Sequence, residues 1–214
     1  MMFFKRILFY VVGFIIVSLG ISLTIKANFG VGSWDALNVA LSETIGLTVG
    51  SWIFIVGIIL IFVNSFIEQK KPAYLEIITV AAIGSFVDFW LLFALKGLAP
   101  ETVLTKVSVL LLGVIVLSVG ISIYLQPKLP ISPIDHLMIS LSERFHLNFL
   151  ITKSMTEVFA IALAFLLKGP IGIGTLIITL MIGPSIQLLH PFANKLYNSF
   201  MKNQPAPPMK REGI

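Results

Sequence analysis

The chain has 214 residues, of which 57% are hydrophobic and 12% charged, with a formal net charge of +5 and a mean hydropathy of +1.00. Soluble domains carry about 25% charged residues, so the composition excludes a water-soluble globule and makes lipid the solvent for much of the surface. There is no cysteine, and the three histidines (His136, His146, His190) form no HExxH pair. With no Walker loop, dinucleotide fingerprint or GxSxG elbow, nothing supports a common soluble enzyme class or a cofactor. The positive charge fits cytoplasmic loops beside anionic lipid rather than nucleic acid.

The first predicted element is a span over about 5–26, because Ile7–Ile25 is 19 residues without a charge and about 20 cross a bilayer core. Lys5 and Arg6 ahead of it also suit a signal peptide, but the apolar run is long for one, and its like recurs mid-chain at 107–125. A short helix follows at 33–46. Its length of roughly 20 Å is too small to cross, so it is expected to be re-entrant or interfacial. Spans at about 49–67 and 73–95 complete a first membrane repeat, residues 1–97. A second repeat, 98–192, follows the same plan, with spans at about 104–125, 148–167 and 171–192 and a short helix at 133–146. Residues 193–214 read as a cytoplasmic tail, disordered toward its proline-bearing end.

The repeat is visible without gaps. Between 13–47 and 113–147, 12 of 35 positions are identical, including Gly13, Gly20, Ser22, Asp35, Leu37 and Glu43 with their counterparts a hundred residues on. Ala73–Leu92 aligns more weakly with Gly172–Pro191 at an offset of 99, which pairs Asp88 with Gln187. Self-similarity of this kind marks a fold built from copies of one unit. Three spans per unit is an odd number, so the second unit enters the membrane from the opposite face. The expected fold is all-α, with six transmembrane helices in two inverted three-helix repeats, each carrying a half-helix. The competing count makes both short helices cross, giving eight spans and parallel repeats. With six spans and cytoplasmic termini, 11 Lys and Arg fall inside and 4 outside, which satisfies the positive-inside rule.

Charge inside a membrane is costly and marks candidate sites. The richest stretch is Asn28-Phe-Gly-Val-Gly-Ser33-Trp-Asp35, matched by Lys128-Leu-Pro-Ile-Ser-Pro-Ile-Asp135. Ser132 suits an N-cap, Pro133 the first helical position, and both aspartates the third. An acidic residue there favours helix initiation beside the positive end of the dipole. The same placement suits half-helix termini that face a central cavity and bind substrate or coupling ion. Both roles remain open, and they are compatible. Asn38 shares a helix face with Asp35, while the second copy has Met138 there. Glu157 lies deep in its span with Lys153 one turn back, which fits either an intrahelical ion pair or a carboxylate facing a cavity. Asp88 lies toward the outer end of its span. Asn28, Ser33, Asp35, Asn38, Asp88, Asp135, Glu157 and Gln187 are the candidate substrate- or ion-binding residues, with no catalytic or metal-ligating set.

The run Gly20-Ile-Ser-Leu, then Ala27-Asn-Phe-Gly-Val-Gly-Ser-Trp-Asp35-Ala-Leu, then Leu47-Thr-Val-Gly-Ser-Trp-Ile resembles the YczE/YyaS/YitT family of bacterial integral membrane proteins, and most closely its YczE-like branch. The resemblance covers about residues 5–192. It implies a bacterial plasma-membrane protein and supplies no substrate. The expected function is a secondary transporter or permease for a small solute, with the lipid bilayer as partner and a homodimer left open. The alternative is a non-transporting scaffold or regulator of a partner enzyme.

Overall fold

The computed structural model describes residues 2–202, all helical or in connecting links, with no strand among them. The helices are α1 (Met2–Lys26), α2 (Ser33–Ile45), α3 (Val49–Glu68), α4 (Glu76–Phe89, continued by a π-helical turn over Trp90–Ala94), α5 (Val103–Tyr124), α6 (Pro133–Phe145), α7 (Phe149–Leu166) and α8 (Ile173–Lys202). Six of them are long and apolar enough to cross a membrane; α2 and α6, at 13 residues each, are not among these. Local chemistry sets the starts. Thr48, Thr102, Asn148 and Ser132 each accept a backbone N–H from the first turn of the helix they precede, and Pro133 opens α6. Residues 193–202, expected in the tail, continue α8, since nothing in Ala193–Lys202 breaks a helix. The remainder of the expected tail, 203–214, lies outside the described residues.

α1 and α5 form the central pair and run antiparallel. Glycines bring their backbones together: a Cβ on Gly120 would lie 2.5 Å from Val17 N, one on Gly13 2.6 Å from Tyr124 Cβ, and one on Gly113 2.8 Å from Thr24 Cγ2. Gly20 meets the Leu117 backbone in the same way. Small residues allow this proximity where lipid leaves no hydrophobic force to drive helices together. These contacts are reciprocal across the sequence match. Gly13 with Tyr124 answers Thr24 with Gly113, and Gly20 with Leu117 answers Val17 with Gly120. The short helices are exchanged in a similar fashion, α2 packing on α7 and α6 on α3.

The two outer hairpins differ. α3 packs along α4 through Gly50 against the Gly84 carbonyl and Gly57 against Val80. The matching positions in α7 are Leu150 and Glu157, and α7 does not pack along α8. Larger side chains hold the second hairpin apart: Glu157 reaches Thr179 of α8, and Lys153 Nζ approaches Gly183.

Candidate functional site

A cavity of about 190 Å³ lies at the centre, with residues of all eight helices in its wall. Most of the wall is aliphatic, from Val17 and Ile21 of α1 to Ile178 and Ile182 of α8. The first turns of α2 and α6 both line it, so Ser33, Asp35 and Asn38 meet Ser132 and Asp135 across one space, with Glu157 and Thr179 alongside. Both aspartates occupy the third position of their helix, where the backbone dipole favours negative charge. Their partners differ. Asp135 accepts a 2.6 Å hydrogen bond from the Tyr124 hydroxyl. At the position matching Tyr124, Thr24 instead donates to the Ile21 carbonyl of its own helix, and no described donor reaches Asp35. Ser33 Oγ and Asn38 Oδ1 are buried without partners, at residues 5% and 2% exposed. Buried polar atoms are nearly always satisfied by protein or water, so unpaired ones on a cavity wall leave valences for an occupant. Glu157 Oε1 lies 3.8 Å from Lys153 Nζ. No three Asp, Glu or His side chains among the described residues converge to hold a metal ion.

Five of the eight expected residues thus share the cavity: Ser33, Asp35, Asn38, Asp135 and Glu157. Three lie elsewhere. Asn28 is exposed in the link after α1, where φ of 47° puts it in the left-handed region that Asn tolerates. Asp88 caps α3, accepting from Thr48 Oγ1 at 2.6 Å and Gly50 N at 2.8 Å, so its charge meets a helix start. Gln187, its aligned partner, is exposed on α8 because α7 stands too far off to cover that face. Tyr124 and Thr179 were not anticipated. The signal for Tyr124 was a phenol in one copy where the other has a threonine.

A second unanticipated group seats α6. His136 Nε2 lies 2.7 Å from Glu68 Oε1, and Nδ1 lies 2.7 Å from Glu76 Oε1, while Ser140 donates to Glu68 at 2.7 Å. Only the imidazolium carries a proton on both nitrogens. The hydrogen-bonding contact with Glu76 is the main force raising the His136 pKa above its ordinary value. Burial opposes it, and the Glu76 and Glu68 charges add to it. Nearby, Asn64 donates to the Pro133 carbonyl at 3.0 Å, Tyr10 and Thr79 bond to each other at 2.8 Å, and both approach the Pro130 carbonyl. Arg6 donates to the Pro127 carbonyl.

The seat of α2 is made of backbone. Val31 N donates to the Pro170 carbonyl at 3.3 Å and Gly174 N to the Phe29 carbonyl at 2.8 Å. A Cβ on Gly169 would come within 2.8 Å of the Ala36 carbonyl. Gly30, at φ +108°, lies against Gly172 and Thr175 so closely that a Cβ would approach Thr175 N to 2.8 Å.

The family described as a family of unknown function (DUF6198) matches residues 4–191. Over 194 residues the chain is 35% identical to the uncharacterized protein YyaS of Bacillus subtilis (strain 168), covering 91% of this chain and 96% of that protein. It is 31% identical over 191 residues to the uncharacterized membrane protein YczE of the same strain, covering 89% of this chain and 87% of that one. An uncharacterized protein of Haemophilus influenzae is 27% identical over 175 residues, or 80% of this chain and 77% of that one. No solved structure matches. Six apolar helices of membrane-crossing length and these matches along nearly the whole chain make it a multi-pass membrane protein that belongs to the YczE/YyaS family.

Proposed function

We propose that this protein is a secondary transporter or permease for a small solute, and not an enzyme. The observation that carries this is the central cavity, in which the starts of two short helices bring Asp35 and Asp135 together with Glu157 and unpaired polar atoms. Broken or half-length helices whose ends meet near the midplane are the binding elements of inverted-repeat transporters. The reciprocal α1–α5 contacts and the exchanged packing of α2 and α6 support two inverted units, 1–97 and 98–192, with α2 entering from outside and α6 from the cytoplasm. Both termini are cytoplasmic and the membrane is the bacterial plasma membrane, in line with the lysine and arginine distribution. On this arrangement the polar seat of α6 closes the cytoplasmic end of the cavity, and the glycine seat of α2 closes the outer end.

The test is flux in proteoliposomes loaded with a pH indicator and challenged with a panel of small metabolites. The expected result is solute-dependent flux in the wild type that Asp35→Asn or Asp135→Asn abolishes or uncouples from protons. Full activity in both variants would remove the ionisable role. Silence across the panel, together with a stoichiometric partner recovered from native membranes, would replace transport with the scaffold function.

A further inference from the structure

We infer that the central cavity binds a small organic monocation, an amine with an aliphatic or cyclic body, whose ammonium group sits between Asp35, Ser33 and Asn38. The inference deepens the transport proposal and rests on the cavity being its site. Four observations carry it.

Sign comes first. The wall holds the carboxylates of Asp35, Asp135 and Glu157 and no Lys or Arg, while the nearest cation, Lys153, already faces Glu157. One carboxylate is paired with that amine and another is held by the Tyr124 hydroxyl. Asp35 alone has no described partner. Acceptor character comes second. The unpartnered buried atoms beside Asp35 are Asn38 Oδ1, which can only accept, Ser33 Oγ, which can accept, and a single donor, Trp34 Nε1, so acceptors outnumber donors once the Asp35 carboxylate is added. An ammonium group offers donors in several directions and no acceptor, so it satisfies all three residues at once. An anion would meet like charge, and a neutral ketone or ether would leave every acceptor unpaired.

The third observation is the wall. Ile53, Val56, Ile83, Leu117 and Ile121 give an apolar surface, and Trp34 is also among the lining residues. A bare metal ion needs several oxygens in a shell around it, and no three acidic or histidine side chains converge here among the described residues. An aliphatic body fits such a wall and a hydrated ion does not. Size is the fourth. A cavity of about 150 Å³ holds benzene, so one of about 190 Å³ takes a body of at most roughly six to eight heavy atoms.

The experiment uses the full chain purified in a non-ionic detergent. Thermal shift and calorimetry are run with butylammonium, with butyrate as its anionic counterpart of similar size, with tetrabutylammonium as an oversized cation, and with rubidium. Butylammonium is expected to raise the melting temperature and the other three to leave it unchanged. Asp35→Asn should weaken butylammonium roughly tenfold or more, since a hydrogen bond to a charged group is lost from a buried site. Asn38→Leu should weaken it several-fold, and Asp35→Glu should recover part of the loss. No response to butylammonium, an equal response to butyrate, or full affinity in Asp35→Asn overturns the inference. Should neither variant fold, the wild-type choice between butylammonium and butyrate decides alone. Asp35-dependent flux of an anion would remove the cation and leave transport standing. Butylammonium binding without flux of any solute would do the reverse.

Discussion

Side chains hold one short helix and backbone holds the other. Around α6, Tyr10 and Thr79 converge on the Pro130 carbonyl, and His136 bridges Glu68 and Glu76. At the matching positions around α2 stand Leu110 and Ile178, packed with Ala27 and Val114 in an apolar cluster, and Ala36, fully buried against Gly169. The order of helices is the same around both, while the contacts that seat the short helix differ. Close-packed glycine surfaces contain nothing that titrates, and they separate only if backbone moves as a body. An imidazolium between two carboxylates can be released by one proton. If the halves alternate in opening, the two openings obey different physics.

The largest effect that breaks this contrast is expected from Gly30→Val. It combines a β-branched residue at positive φ with a Cβ against Thr175 N, costing more than about 3 kcal/mol, and should show as loss of a monodisperse peak on size exclusion. Glu76→Gln comes next. Glu76 is 4% exposed and its Oε1 faces His136, so losing the charge should lower stability by about 2 kcal/mol. Pulse proteolysis in detergent measures this.

The third prediction concerns pH. His136 has a raised pKa in the fold, against about 6.5 in an unfolded chain. Its stabilisation is therefore complete below about 6.5 and fades as pH rises through the folded value. The melting temperature of the wild type should fall across that window more than that of His136→Gln. Parallel curves would show that the histidine does not bear on the seating of α6. The smallest effect is Tyr10→Phe, which removes the bond to Thr79 and should cost about 1 kcal/mol by the same proteolysis.

Spans and short helices were legible because apolar run length and breaker residues act locally. Asp35 and Asp135 could be placed because the position of an acid in a first turn follows from the cap beside it. Glu157 stood out by its depth in an apolar run. The capping role of Asp88 was not legible because it depends on an amide 38 residues away, which no local pattern encodes. Gln187 depended on the weaker half of the repeat and on how far α7 stands from α8. The His136 bridge joins three elements, so its only trace was a histidine where the other copy has alanine. Polar residues present in one copy alone were the signal available for both it and Tyr124.

Pro184 and Pro191 lie within α8, on faces open to lipid. A proline donates no backbone hydrogen bond, so the carbonyls of Leu180 and Gln187 each lose their partner four residues on. Above these missing rungs, Ile178 and Thr179 line the cavity. Below them, Ala193 and Tyr197 pack with Phe9 and Ile123. The helix is accordingly two stiff rods joined by a softer segment, its upper rod seated against Phe29 and Gly30 and its lower rod moored to α1.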